Sequence, residues 1–288
     1  MTPTLVRQHL PHTGPVSRVD PTARARDWSE IQERMLVPLY EAVYERLEVG
    51  AGTTVLGLDC GSGLALLLAA ARGADVTGVE AGSPERLAIA RERLTPGAET
   101  NGTRAHAVTR LVDGTPADLD DPAPDGEYGL VTAFEPIGCR EGDAEELGER
   151  LRAAAPLAGR GAPVVLAGWG PPERCATSGV LRAAGRLADP LPGGDRARPA
   201  RRDELEQVAE QAGLVPDGSG RVACPFGYAD LDSAVRGLLS TGLFDPAITA
   251  TDEEQVDKEL REALHPYRRP DRTVWMPNVF RYLIARRP

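Results

Sequence analysis

Four short stretches of the chain carry residues able to do chemistry. The first is Asp59-Cys60-Gly61-Ser62-Gly63, which follows an apolar run from Val55 to Leu58 and precedes a small-residue helical stretch from Leu64 to Arg72. Glycines in such a turn let the backbone come close to a ligand, and the start of the helix presents free N–H groups to an anion. The second is Glu80, which ends the run Asp75-Val76-Thr77-Gly78-Val79-Glu80. A carboxylate there can accept both hydroxyls of a ribose diol. The third is Asp113-Gly114, at the end of an expected strand from 103 to 112. The fourth is Glu135, at the end of the run Tyr128 to Phe134. A carboxylate at that place suits a general base, and it equally suits a helix cap or a salt bridge.

The elements that must hold these residues follow from the spacing. Strand, tight turn, helix and second strand read in sequence from 55 to 80. Ser83-Pro84 opens the next helix, with Ser83 at the cap and Pro84 at the first helical position. Strands are expected at 103–112, 128–136, 163–168 and 281–285. Helices are expected at 141–155, 180–187, 203–212, 231–241 and 252–264. Leu214 to Val222 reads as a hairpin-like lead into a strand. Loops are expected at 95–102 and 118–127, with a further Pro/Gly/Arg-rich loop completing 176–200. Upstream, Trp28, Ile31, Met35, Leu36, Leu39, Val43 and Leu47 recur at helical spacing, so one helix is expected over 27–49. Tyr40 and Tyr44 on it either reach the site or simply pack. Alternation of strand and helix predicts a doubly wound α/β sheet, with the ligand crevice at the carboxyl ends of the strands.

The stretch 55–80 resembles motif I of the class I S-adenosylmethionine-dependent methyltransferases. The family pattern, acidic-x-Gly-x-Gly-x-Gly, falls on positions 57, 59, 61 and 63. Gly61, Gly63 and Glu80 fit it, whereas Gly57 and Asp59 have exchanged the acid and the first glycine. Gly129 likewise stands where the family's fourth strand carries an aspartate. The run Leu166 to Cys175, with Trp169-Gly170-Pro171-Pro172-Glu173, is similar to the UbiE-like small-molecule methyltransferases of actinobacteria. In those, this run opens a segment over the substrate, so Trp169 either lines the pocket or packs under a loop. Cys224 to Asp230 is similar to a family loop near the acceptor pocket.

The resemblance implies a Rossmann-like, seven-stranded, mostly parallel sheet of order 3-2-1-4-5-7-6. It also implies helical insertions near 176–200 and 231–264 over the acceptor site. The cofactor it implies is S-adenosyl-L-methionine, held by Asp59, Gly61, Gly63, Glu80, Asp113, Gly114 and Phe134. Asp113 would meet the adenine amino group, or else simply start a turn before Gly114. Asp59 either replaces the missing acid as partner of the cofactor's ammonium, or repels its carboxylate, or caps the following helix.

Composition narrows the alternatives. A Walker loop needs Gly-Lys-Ser/Thr, and Lys258 is the only lysine. The dinucleotide fingerprint needs a third glycine where Leu66 stands. A net charge of −10 argues against a general nucleic-acid or membrane-surface binder. The four cysteines and four histidines show no metal-ligand spacing, so free thiols and no metal are expected. No apolar stretch approaches ~20 residues. Residues 1–26 read as a flexible lead without a signal-peptide core, residues 27–288 as one methyltransferase-like domain, and the protein as cytoplasmic.

The expected function is methyl transfer to a small organic acceptor, in secondary metabolism, with Glu135 as the base. The alternative is a protein of this fold that no longer methylates. It would act as a cyclase or rearrangement enzyme, or as a non-catalytic binding partner.

Overall fold

The computed structural model describes residues 20–95, 108–119, 126–188 and 201–288. Its strands are β1 (Thr54–Leu58), β2 (Asp75–Glu80), β3 (Thr109–Asp113), β4 (Leu130–Ile137), β5 (Pro163–Trp169), β6 (Val215–Ala223), β7 (Phe226–Tyr228), β8 (Val274–Met276) and β9 (Val279–Arg286). Seven of them form one sheet in the order β3-β2-β1-β4-β5-β9-β6. The first five pair in parallel, and β9 runs antiparallel between β5 and β6. This is the seven-stranded, mostly parallel sheet that the family resemblance implies.

The helices are α1 (Pro21–Asp27), α2 (Val37–Arg46), α3 (Leu64–Ala71), α4 (Pro84–Leu94), α5 (Asp143–Ala154), α6 (Ala176–Ala188), α7 (Glu204–Gln211), α8 (Leu231–Leu239), α9 (Asp245–Ala250) and α10 (Glu253–Leu264). The sheet is apolar on both faces because successive side chains point to opposite sides. Val55, Leu130, Val165 and Ile284 face one core with Leu39, Val43 and Leu66 of α2 and α3. Leu56, Val131, Val164 and Leu283 face the other, with Leu147 and Leu151 of α5 and Leu205 of α7.

Three expectations about secondary structure are corrected. The single helix over 27–49 is broken into α1, a π turn at Trp28–Gln32, a 3-10 turn at Glu33–Leu36, and α2. Pro38, near the start of α2, has no N–H to give to the preceding turn, so the ladder is interrupted there. The stretch from Val215 is a full edge strand, and β7 and β8 form a separate two-stranded ribbon. The insertion between β7 and β8 also holds a third helix, α9, besides the two expected. The packed chain begins by Pro21, with Ala25 buried. The remainder of the expected lead, the loop at 96–102, the start of the third strand at 103–107, most of the acidic loop (120–125) and the Pro/Gly/Arg loop at 189–200 lie outside the described residues. Among the described residues no helix is long and apolar enough to cross a membrane. All four cysteines are free.

Candidate active site

The carboxyl ends of β1, β2 and β4 meet at one crevice. The turn after β1 is tightly wound, with left-handed backbone at Asp59 (φ 47°), Gly61 (φ 57°) and Gly63 (φ 79°). Glu80, only 5% exposed, anchors it. One of its oxygens accepts the Gly61 N–H at 2.8 Å, and the other accepts those of Gly82 at 2.8 Å and Ser83 at 3.1 Å. Gly63 serves helix packing: a Cβ there would lie 2.9 Å from that of Ala90 on α4. Asp113 lies opposite Glu80 in the β2–β3 register and is exposed. Gly114 (φ 143°) donates its N–H to the Glu80 carbonyl, and Asp118 packs where a Cβ would be.

β4 changes register against β5 between Ala133 and Ile137. Irregularities of this kind re-aim side chains at strand ends. Phe134 turns inward against Tyr40, with ring centroids 4.8 Å apart, while Glu135 faces out to the crevice. Tyr44 packs on α3, its hydroxyl donating to the Ala65 carbonyl at 3.0 Å. Two cavities flank Glu135. One, of about 30 Å³, is bounded by Trp28, Glu33, Tyr40, Gly61, Arg86 and Phe134. The other, of about 220 Å³, is bounded by Cys139, Arg140, Glu146, Arg150, Thr241 and Leu243. Asp59 and Glu135 line both. No described donor lies within hydrogen-bond distance of the Glu135 carboxylate. Crowding by protein on every side but the crevice raises its carboxyl above the ordinary range, with Arg86 opposing.

Asp59 does not cap α3. Its carboxylate, 13% exposed, pairs with Arg150 of α5 at 3.1 Å. Burial pushes its carboxyl up to about 7, against the pull of Arg150, with Glu135 and Glu80 adding to the rise. The folded value lies above the ordinary ~3.9, so the folded chain holds this proton more tightly than the unfolded one. That contribution to stability is complete below about pH 4 and is lost as the pH rises through about 7. Asp59→Asn, which tolerates the same backbone, is expected to remove the loss. Its melting temperature relative to wild type should climb between about pH 4.5 and about pH 8. A difference that stays flat over that interval would refute the assignment.

No family model matches the chain, and no curated protein matches it. Solved structures do. A Bacillus halodurans protein assigned to the methyltransferases is 14% identical, with a TM-score of 0.52 over 86% of this chain and 98% of that one. YcgJ of Bacillus subtilis is 15% identical, with the same TM-score and the same coverage. YjhP of Escherichia coli is 19% identical, with a TM-score of 0.50 over 92% of this chain and 99% of that one. The fold is that of the class I methyltransferases.

In this example of the methyltransferase fold, the glycine turn is closed by residues that sequence reading did not single out. Glu33, 3% exposed, comes from the 3-10 turn. Its carboxylate accepts from the Ser62 hydroxyl, from the Leu64 N–H at the start of α3 (3.3 Å) and from Arg93 (2.6 Å). Arg93 also reaches the Ser62 carbonyl at 2.9 Å and the Ser29 hydroxyl at 2.6 Å. Arg86 lies 4.2 Å from the centre of the Trp28 ring and donates to the Ser240 carbonyl at 2.9 Å. The Trp28 indole N–H is buried without a partner among the described residues. No spacing signal marks Glu33, because at about 100° per residue it falls outside the apolar stripe of Trp28, Ile31, Met35 and Leu39. Trp169 packs in an aromatic group, 4.6 Å from Phe280 and 6.1 Å from Phe226. Among the described residues no cluster of His, Cys, Asp or Glu is arranged to hold a metal.

Proposed function

We propose that the protein transfers a methyl group from S-adenosyl-L-methionine to a small organic acceptor, with Glu135 taking the acceptor's proton. The observation that carries this reading is Glu135 itself: a carboxylate with no hydrogen-bond partner among the described residues, at the end of β4, between two cavities. The residues at hand suit the cofactor in two respects. Glu80 uses three of roughly four acceptor positions, so the diol has one free position and must displace a backbone donor for a second. The orphaned Trp28 N–H offers a hydrogen bond to a ligand oxygen.

When bound, S-adenosylmethionine supplies a methyl group already activated for displacement. The chain has to orient the acceptor, exclude water and accept a proton. The cavity of about 220 Å³ suits a small acceptor, with Arg140, Arg150 and Glu146 to orient polar groups. The run from Leu166 to Cys175 favours the UbiE-like small-molecule group, and a role in secondary metabolism goes with that group. Asp113 and Gly114 remain the proposed adenine side, Gly61 and Gly63 the proposed backbone approach, and Phe134 the proposed apolar wall.

Calorimetric titration with S-adenosylmethionine, followed by turnover of an acceptor found by screening, tests the proposal. Glu135→Gln should keep cofactor affinity and lower turnover about a hundredfold. Because the base must be ionised, wild-type turnover should rise with pH through a value above the usual carboxylate range. Intact turnover in Glu135→Gln would remove Glu135 from the chemistry. A second reading, a protein of this fold that no longer methylates, is favoured by Glu33 lying on the glycine turn. Failure to bind S-adenosylmethionine at millimolar concentration would select it.

A further inference from the structure

The N-terminus of α3 already holds a carboxylate, and that carboxylate belongs to the protein. Helix N-termini attract anions through unpaired N–H groups and the helix dipole. Here Glu33 takes the Leu64 N–H and the Ser62 hydroxyl, and Arg93 bonds both Glu33 and Ser62 from α4. The group is buried and charge-assisted, hence held firmly. It borders the small cavity that Trp28 also lines, and the Trp28 N–H has no partner among the described residues. Were Gly61 to carry a Cβ, that atom would lie 3.4 Å from the Trp28 nitrogen and 3.5 Å from a Glu33 oxygen, so both residues lie directly against the glycine turn. Glu33 also begins the 3-10 turn that breaks the N-terminal helix. Such irregular turns yield more readily than regular helix.

We infer that Glu33 is an internal competitor for the carboxylate of an amino-acid-bearing ligand, and that it sets the protein's selectivity among adenosyl ligands. This rests on the proposed cofactor reading. A ligand whose α-carboxylate seeks the start of α3 must displace Glu33 to reach it. A ligand without that carboxylate meets no such competition, and its ammonium gains a nearby anion. The native protein therefore draws no benefit from the ligand's carboxylate.

S-adenosylhomocysteine and S-adenosyl-3-thiopropylamine differ only in that carboxylate, and calorimetry with both on the full chain tests the inference. For the native protein their affinities should agree within about threefold, or the amine should bind better. In Glu33→Gln the ratio should shift toward S-adenosylhomocysteine by about tenfold or more. A native preference for S-adenosylhomocysteine beyond about threefold overturns the inference without any variant. So does a shift in Glu33→Gln, checked for folding by its melting curve, that stays below about tenfold. Binding of neither ligand to either protein overturns the cofactor reading itself, and this inference with it.

Discussion

Glu80→Ala is expected to lower the stability of the fold by about 3–5 kcal/mol, a drop of roughly 10 °C in melting temperature. The carboxylate is buried and receives three backbone N–H groups, from Gly61, Gly82 and Ser83. Alanine leaves all three without that acceptor, and the Gly61 N–H is buried. It also frees the turn after β1 from the start of the segment after β2. Glu80→Gln keeps the shape and one accepting oxygen, so about half the loss is expected to return. Ligand binding is a separate readout, taken well below the variant's melting point. There the lost diol acceptor is expected to weaken S-adenosylmethionine by about 1.5–3 kcal/mol, or roughly tenfold to a hundredfold. An unchanged melting temperature contradicts the anchoring role. An unchanged affinity contradicts the ribose assignment, whatever the melting temperature does.

Restoring the common form of the glycine motif is expected to damage the protein. Gly57 lies in β1 between Gly78 and Thr132, and every residue of that strand is buried. A Cβ at 57 would stand 2.9 Å from a methyl of Leu66, and one at 78 would stand 2.6 Å from the other. Leu66, 1% exposed, thus fills the space above the glycine pair. Gly57→Asp forces that side chain aside and buries a carboxylate without a partner, at about 3–5 kcal/mol. Asp59→Gly alone suits the left-handed backbone and costs only the pairing with Arg150. The double variant is therefore expected to melt well below Asp59→Gly, with no gain in cofactor affinity. Adding Leu66→Ala should recover part of the loss, since the two sites share one space. A double variant melting within about 2 °C of wild type would show that Leu66 yields freely.

Gly129 tells the same story at the neighbouring strand. Its N–H donates to the Thr54 hydroxyl at 2.8 Å, and a Cβ there would lie 3.4 Å from that oxygen. Gly57 and Gly129, two of the three departures from the family pattern, sit where another side chain approaches the backbone. In each case the neighbour, Leu66 or Thr54, makes the small residue consistent with the local packing. Neither neighbour could be identified from motif spacing.

The sequence by itself determined the sheet. The strand order and the antiparallel last strand are what the family resemblance implied, while apolar runs, glycine turns and helical spacing placed β1 to β5 along the chain. They also located Glu80 and Glu135 at strand ends, because strand polarity and the crevice rule need only local order. The interruption before Pro38 is local as well, since it depends on one residue that lacks an N–H. Tertiary structure alone decided the chemistry of the turn. Glu33 reaches Leu64 across 31 positions, Arg93 reaches Ser29 across 64, and Asp59 finds Arg150 on a helix beyond three further strands. Such pairings depend on which side chains the packed sheet brings together. A carboxylate's partner, its exposure and its proton affinity are set by that environment and not by neighbours in the chain.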